Sequence, residues 1–276
     1  MKVITVTNRK GGSGKTTVSV HLAAGLATRG FNVGIIDTDS QGHNALMLGL
    51  PQENSLYRVM IEDSPLAEEV VIVPPDLYST PDRLAEGQLF LLRGYDKTYK
   101  IPYDMDATAI FAFHDLCQRF GELAGLDFVI VDTQPTMSQF DGAVYLATDA
   151  FLYPTECEML SIAGLTEAIE QMKAFNKHRE RYLGSSTKIL GIIPNKMRTN
   201  TVLNQHNISV LGHEFGIFDE GGLVMSPLRL LTVWGQACNE RVPVYVFEPS
   251  GEAAIDAWRI VDNVEKRLKE WQGEIA

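Results

Sequence analysis

The chain has 276 residues, 45% of them hydrophobic, and 24 Lys and Arg against 35 Asp and Glu give a formal charge of −11. That size suits one large domain with a real core, and the acidic balance excludes a protein coated in basic charge, though not one that meets DNA through a local basic patch. Three cysteines without CxxC spacing exclude a disulfide framework or cysteine zinc site and fit a reducing compartment, and no run of about eighteen apolar residues offers a membrane span.

The first β-branched run, Val3-Ile4-Thr5-Val6-Thr7, predicts a strand. Because it starts near Lys2, it leaves no room for a signal peptide, and a cytoplasmic location is expected. The strand leads into Asn8-Arg9-Lys10-Gly11-Gly12-Ser13-Gly14-Lys15-Thr16-Thr17. Helical periodicity follows (Val18, Leu22, Leu26) as far as Arg29, with Gly30 placed to cap the helix. A strand, a glycine-rich turn and a helix start, in that order, let backbone N–H groups wrap an anionic phosphate. In that layout Lys15 reaches the β- and γ-phosphates and the Thr16 hydroxyl holds Mg²⁺. The ordinary Walker A pattern has a glycine where this chain has Arg9, and here Lys10 precedes the glycine pair. The match is therefore to the deviant form, Lys-Gly-Gly-x-Gly-Lys-Thr.

Further along, residues 33–37 predict a strand, 51–64 a loop and helix, and 70–73 another strand. Residues 93–105, with Tyr95, Tyr99 and Tyr103, lack periodicity and predict an exposed loop. Helix is expected over 106–123, a central strand over 128–132 and another over 150–153. A long helix over 158–182 ends in Lys173, Lys177, His178, Arg179 and Arg181. A strand over 188–193, a helix over 200–215 and a closing helix over 252–271 complete the chain. This alternation predicts an α/β fold, a doubly wound, mostly parallel sheet with helices on both faces, as a single domain over 1–276.

Asp37 and Asp39 end the second strand and Asp132 ends the central one. In doubly wound sheets that edge is where ligands bind. Asp132 fits the role of organising Mg²⁺ or its water. Asp39 is assigned to orienting the attacking water and Asp37 to the magnesium shell, with the division between them open. One acid alone could equally cap a helix; three facing a phosphate loop favour chemistry.

Lys-Gly-Gly-Ser-Gly-Lys-Thr-Thr, then Asp-Thr-Asp-Ser-Gln-Gly, then Val-Ile-Val-Asp-Thr-Gln-Pro, resemble the deviant Walker ATPases of the ParA/MinD family, and within it ParA. The resemblance covers nearly the whole chain. Pro154-Thr155-Glu156-Cys157-Glu158 with Ala163-Gly164-Leu165 is similar to the segment after the family's fifth strand. Met197-Arg198-Thr199-Asn200 is similar to the Ala-Arg-Thr-Asn stretch of chromosomal ParA proteins.

The resemblance implies ATP and Mg²⁺ as cofactors and a homodimer in the ATP state, in which Lys10 crosses to the partner's phosphates like an arginine finger supplied in trans. It implies slow ATP hydrolysis stimulated by a ParB-like or other adaptor, and non-specific binding to nucleoid DNA while ATP is held. Lys10 to Thr17 would contact nucleotide. Asn195 either reads adenine, since an amide both donates and accepts, or is a turn residue. Arg198 falls on the family's DNA-contacting arginine, and Arg229, in Pro227-Leu228-Arg229-Leu230, is similar to its Val-Arg-Leu segment. The basic end of the long helix and Lys266-Arg267-Lys269 would add phosphate contacts.

Two departures stand out. Ser40 and Gln134 occupy positions where the family has prolines, so the dynamics of the loops near the γ-phosphate, and the hydrolysis rate, are expected to differ. With the first strand at residue 2, no N-terminal helix-turn-helix extension and no operator-specific autoregulation are expected. Two alternatives remain. A MinD-like membrane cycler would use the closing helix, whose polar face carries Asp256, Asp262, Glu265 and Glu270 among its cations and would be repelled by anionic lipid. A metabolic enzyme that activates a carboxylate with ATP would lack Lys10.

Overall fold

The computed structural model describes residues 1–106, 108–135, 139–199 and 201–273. Its strands are β1 Lys2–Val6, β2 Val33–Asp37, β3 Val70–Ile72, β4 Leu89–Leu92, β5 Phe128–Asp132, β6 Ala150–Glu156 and β7 Lys188–Asn195. They form one seven-stranded sheet in the order β3-β4-β2-β5-β1-β6-β7. Every neighbouring pair is parallel except β3 with β4 at one edge. All residues of β2, β4 and β5 are buried, which is why these segments read as continuous apolar runs rather than alternating ones.

Side chains of successive strand residues go to opposite faces. Ile4, Ile35 and Ile130 enter a core under the helices Lys15–Thr28 and Glu252–Gly273, while Val3, Ile36 and Val131 enter a second core under Ala112–Ala124 and Gln139–Ala147. A smaller cluster, including Phe151, Tyr153 and Leu165, lies beneath the helix Met159–Leu183. The register pairs Asp37 with Asp132 directly across β2 and β5. Two acids nearly a hundred residues apart thus meet at one sheet edge.

One strand was not expected, and three expectations need correction. β4 carries no β-branched residue (Leu89-Phe90-Leu91-Leu92), so its strand character went unread, yet it lies inside the sheet between β3 and β2. In the segment 93–105 Tyr95, Tyr99 and Tyr103 are exposed as expected, but the backbone forms two short helical turns rather than a loop, Asp96–Lys100 and Ile101–Asp104. Tyr95 N–H donates to Thr98 Oγ1 at 2.9 Å and Thr98 N–H to the Tyr95 carbonyl at 2.7 Å, while Thr98 and Ile101 are buried. The helix expected from 106 begins at Ala112. The helix expected from 200 begins at Val202; Asn200 and the His178 side chain lie outside the described residues.

Candidate nucleotide and magnesium site

The glycine-rich turn depends on backbone that only glycine adopts readily. Gly12 and Gly14 have φ of +75° and +93°, and a Cβ on Gly14 would stand 2.0 Å from Asn195 Nδ2. Lys15 opens the helix that follows, and its ammonium arches back to donate to the Lys10 carbonyl at 3.4 Å. The side chain is largely buried, and burial lowers its pKa against the pull of Asp132 and Asp39. A desolvated ammonium over a ring of backbone N–H groups is a strong phosphate receptor.

Beneath the loop lie the two paired acids, both fully buried. Asp37 accepts the Asp39 N–H at 2.9 Å and the Asn44 N–H at 3.3 Å. Asp132 accepts the Ser19 hydroxyl at 3.1 Å and the Asn44 amide at 2.7 Å, and bonds the Thr16 hydroxyl. Burial pushes Asp132 up to about 6, and burial together with the Asp132 charge pushes Asp37 well above the usual carboxylate range. Asn44 Oδ1, enclosed in the same cluster, has no hydrogen-bond partner. Two crowded carboxylates beside a hydroxyl and an orphaned amide oxygen are short of positive charge. That set fits Mg²⁺, which takes one or two carboxylates and completes its shell with water and substrate phosphate. Consistent with so sparse a donor set, no cluster of three His, Cys, Asp or Glu fit for a metal occurs among the described residues. Asp39 sits at the rim, with its carboxylate accepting the Gln41 N–H at 3.0 Å.

The loop opens into a cleft of about 510 Å³, lined by Gly11, Gly12, Gly14, Lys15, Thr16, Thr17 and Asp39 on the phosphate side. The far wall is more apolar, with Leu228, Leu230, Leu231 and Trp234. A polar end joined to an apolar one suits a nucleotide. Asn195 also lines the cleft, but its amide is engaged: Nδ2 donates to the Ser13 carbonyl at 2.7 Å and Oδ1 accepts the Lys196 N–H at 2.7 Å. It braces the loop. Ser13 is buried with its hydroxyl unpartnered.

Other expected residues separate. Lys10 faces away from the cleft, pairing with Glu156 and, at 2.7 Å, with Glu158. Arg198 is exposed. Arg229 lines the cleft, but its guanidinium is committed, donating to Asp256 at 2.9 Å through both Nε and Nη2 and pairing with Glu252 at 2.7 Å. Contact with DNA would require breaking that fork. Of the expected auxiliary cations, Arg179 is buried against Asp149, Arg267 donates to the Gly222 carbonyl, and Lys269 pairs with Glu265. Ser40 and Gln134 are half-buried. Gln134 lines a small recess with Asn8 and Arg9.

Sequence reasoning missed Asn44, Ser19, Lys196 and Trp234. Ser19 follows Lys15 by four residues, one helical turn, which was a usable signal. Asn44 carried none, because its partner Asp132 ends a distant strand; Trp234, whose indole N–H donates to the Arg229 carbonyl, enters the cleft wall only through the fold.

Comparison with known proteins adds an independent line. A family model described as an AAA domain matches residues 1–184. The sporulation initiation inhibitor protein Soj of Bacillus subtilis is 24% identical over 92% of this chain and 94% of its own length. The chromosome partitioning protein ParA of Myxococcus xanthus is 28% identical over 60% of this chain and 56% of its own. The fold matches that of an aspartate-to-alanine variant of Cyanothece McdA in complex with ATP, with a TM-score of 0.73 at 20% identity over 98% of this chain and 96% of that one.

Proposed function

The chain belongs to the AAA-domain family it matches, within the ParA/MinD P-loop ATPases, and from that premise we propose that it is a ParA-type ATPase that segregates or positions DNA or another large cargo. Two ATP-loaded copies form a homodimer that binds DNA without sequence preference, and hydrolysis stimulated by a ParB-like or other adaptor resets the cycle. The observation that carries this reading is the opposite placement of two lysines in one loop. Lys15 is buried in the cleft, whereas Lys10 stands outside it on an open rim. A loop that needed only to bind nucleotide has no use for the second.

The roles follow from placement. The N–H groups of residues 10–17 and the Lys15 ammonium hold the phosphates, Thr16 and Asp132 with Asp37 hold Mg²⁺, and Asn195 keeps the loop in shape. Mg²⁺, when bound, neutralises charge on the phosphate oxygens. Asp39, at the rim, orients the attacking water, and Lys10 of the other subunit stabilises charge on the transferring phosphoryl. Exposed Met159 and Leu160 begin the helix whose Ser161 bonds Lys10, and exposed Val202 and Leu203 begin the helix whose Asn204 and Asn207 bond the Cys157 carbonyl, an apolar border suited to a second copy. Arg198, on the loop just before Val202, is the cation placed to meet DNA.

The MinD-like alternative fares worse. On the apolar side of Glu252–Gly273, Ala257, Val261 and Val264 are fully buried in the core and Trp258 and Trp271 partly so, while Ile255 is exposed. That stripe is not free to enter a lipid surface. No described helix is long and apolar enough to cross a membrane.

The test is a DNA titration with ATP, with ADP and without nucleotide, at several salt concentrations. Binding only with ATP, falling steeply with salt, is the expected result. Binding to anionic vesicles with no DNA binding would overturn it.

A further inference from the structure

The contacts around Lys10 are specific enough to constrain when it can act. Its backbone is fixed from below: Asn8 Nδ2 donates to the Pro154 carbonyl at 2.7 Å, and Asn8 Oδ1 accepts the Lys10 N–H at 2.9 Å. The side chain then runs along the end of β6. Its ammonium pairs with Glu156, with Glu158 at 2.7 Å, and with the Ser161 hydroxyl at 3.0 Å. All three lie on the same chain as Lys10.

We propose that Glu156, Glu158 and Ser161 are positioning residues that hold Lys10 on its own subunit and release it only when a second ATP-loaded copy offers it phosphates. This deepens the reading above and rests on Lys10 acting in trans. Two features make the hold reversible. Glu156 uses its other oxygen to pair with Lys196 at 2.7 Å, so a cation remains beside it when Lys10 leaves. Glu158 is mostly solvent-exposed, with 64% of its side chain accessible, so water solvates it on release. Exposed ion pairs are individually weak. The latch therefore biases the dimer equilibrium by about three- to tenfold rather than blocking assembly.

The experiment uses the full chain with Glu158→Gln and Ser161→Ala combined, leaving Glu156 to pair with Lys196. Dimerisation is followed by sedimentation across a protein concentration series with Mg²⁺ and ATP, and hydrolysis per subunit is measured in parallel. The double variant is expected to dimerise at a protein concentration about three- to tenfold lower and to hydrolyse faster below the wild-type midpoint. High salt, which screens exposed pairs, should shrink the difference. Association that still requires ATP and Mg²⁺ distinguishes dimerisation from the ATP-independent aggregation of a misfolded chain. An unchanged or higher midpoint overturns the proposal, as does a gain that persists when Lys10→Ala is added. Lys10→Ala alone separates the two readings. If it leaves dimerisation and hydrolysis at the wild-type level, the action in trans falls and takes the latch with it. If it lowers them while the double variant behaves as wild type, only the latch falls.

Discussion

Lys15 and Lys10 belong to the same short loop and live in opposite physical regimes. Around Lys15 everything is enclosed: the ammonium, both paired aspartates and Asn44 are buried, and burial lowers the lysine pKa. Around Lys10 the carboxylates of Glu156 and Glu158 raise it, and the apolar neighbours Met159 and Leu160 stand in solvent. Desolvated charge is strong but immobile, which suits a ligand that always arrives at the same place. Solvated charge is weaker but free to change partners, which suits a contact made only in an assembly. The loop joins an enclosed lysine to an ion-paired one at its edge.

The hardest blow to the enclosed half is Lys15→Ala. Removing a buried, committed cation should cost at least about 2–5 kcal/mol of ATP affinity, read by calorimetric titration. Unchanged affinity would erase the contrast between the two lysines. Next is Arg229→Ala, which strands Asp256, buried at 1% side-chain exposure, without its fork. The expected loss is about 3 kcal/mol of folding stability, read from urea unfolding. If stability holds while only DNA binding drops, Arg229 belongs with the exposed half instead.

Acid should attack the enclosed half through His21. Its Nε2 accepts the Val244 N–H at 2.8 Å, so Nδ1 carries the proton and donates to the Thr17 carbonyl at 2.6 Å. Burial pushes its pKa down to about 4 from an ordinary 6.5. A depressed folded-state value means the unfolded chain takes up the proton first. The stability from neutral His21 is complete above about pH 6.5 and is lost as pH falls toward 4. Between pH 7 and 4.5 that is on the order of 2–3 kcal/mol. Urea midpoints for wild type and His21→Gln should converge on acidification, and parallel profiles would remove His21 from the account.

The smallest effect falls on the exposed half. Arg198→Glu should leave ATP affinity and folding stability unchanged, weaken DNA binding, and reduce its salt slope by about one per lost phosphate contact. Wild-type DNA binding with an unchanged slope would take Arg198 out of the interface.

Much of this molecule was legible before folding. The turn from Asn8 to Thr17, the strand-ending acids and the alternation of strands and helices all express themselves in contiguous residues with strong local signatures. β4 was not legible, because Leu89-Phe90-Leu91-Leu92 is as good a helix fragment as a strand until the sheet receives it. The segment 93–105 failed for a related reason, since its order comes from one reciprocal Tyr95–Thr98 cap and the burial of Ile101.

By itself the sequence determined which residues share the glycine-rich turn and which acids end strands, because both features are written in neighbouring residues. Only the tertiary structure decided which cations are available. Arg229 and Arg198 look equivalent as letters, yet one is forked to Asp256 on a helix 27 residues away and the other stands in solvent. Lys10 likewise meets Glu156 and Glu158 only because β1 and β6 are neighbours in the sheet. Ion pairs are settled by whichever opposite charge the topology brings within reach, and that distance is written nowhere along the chain.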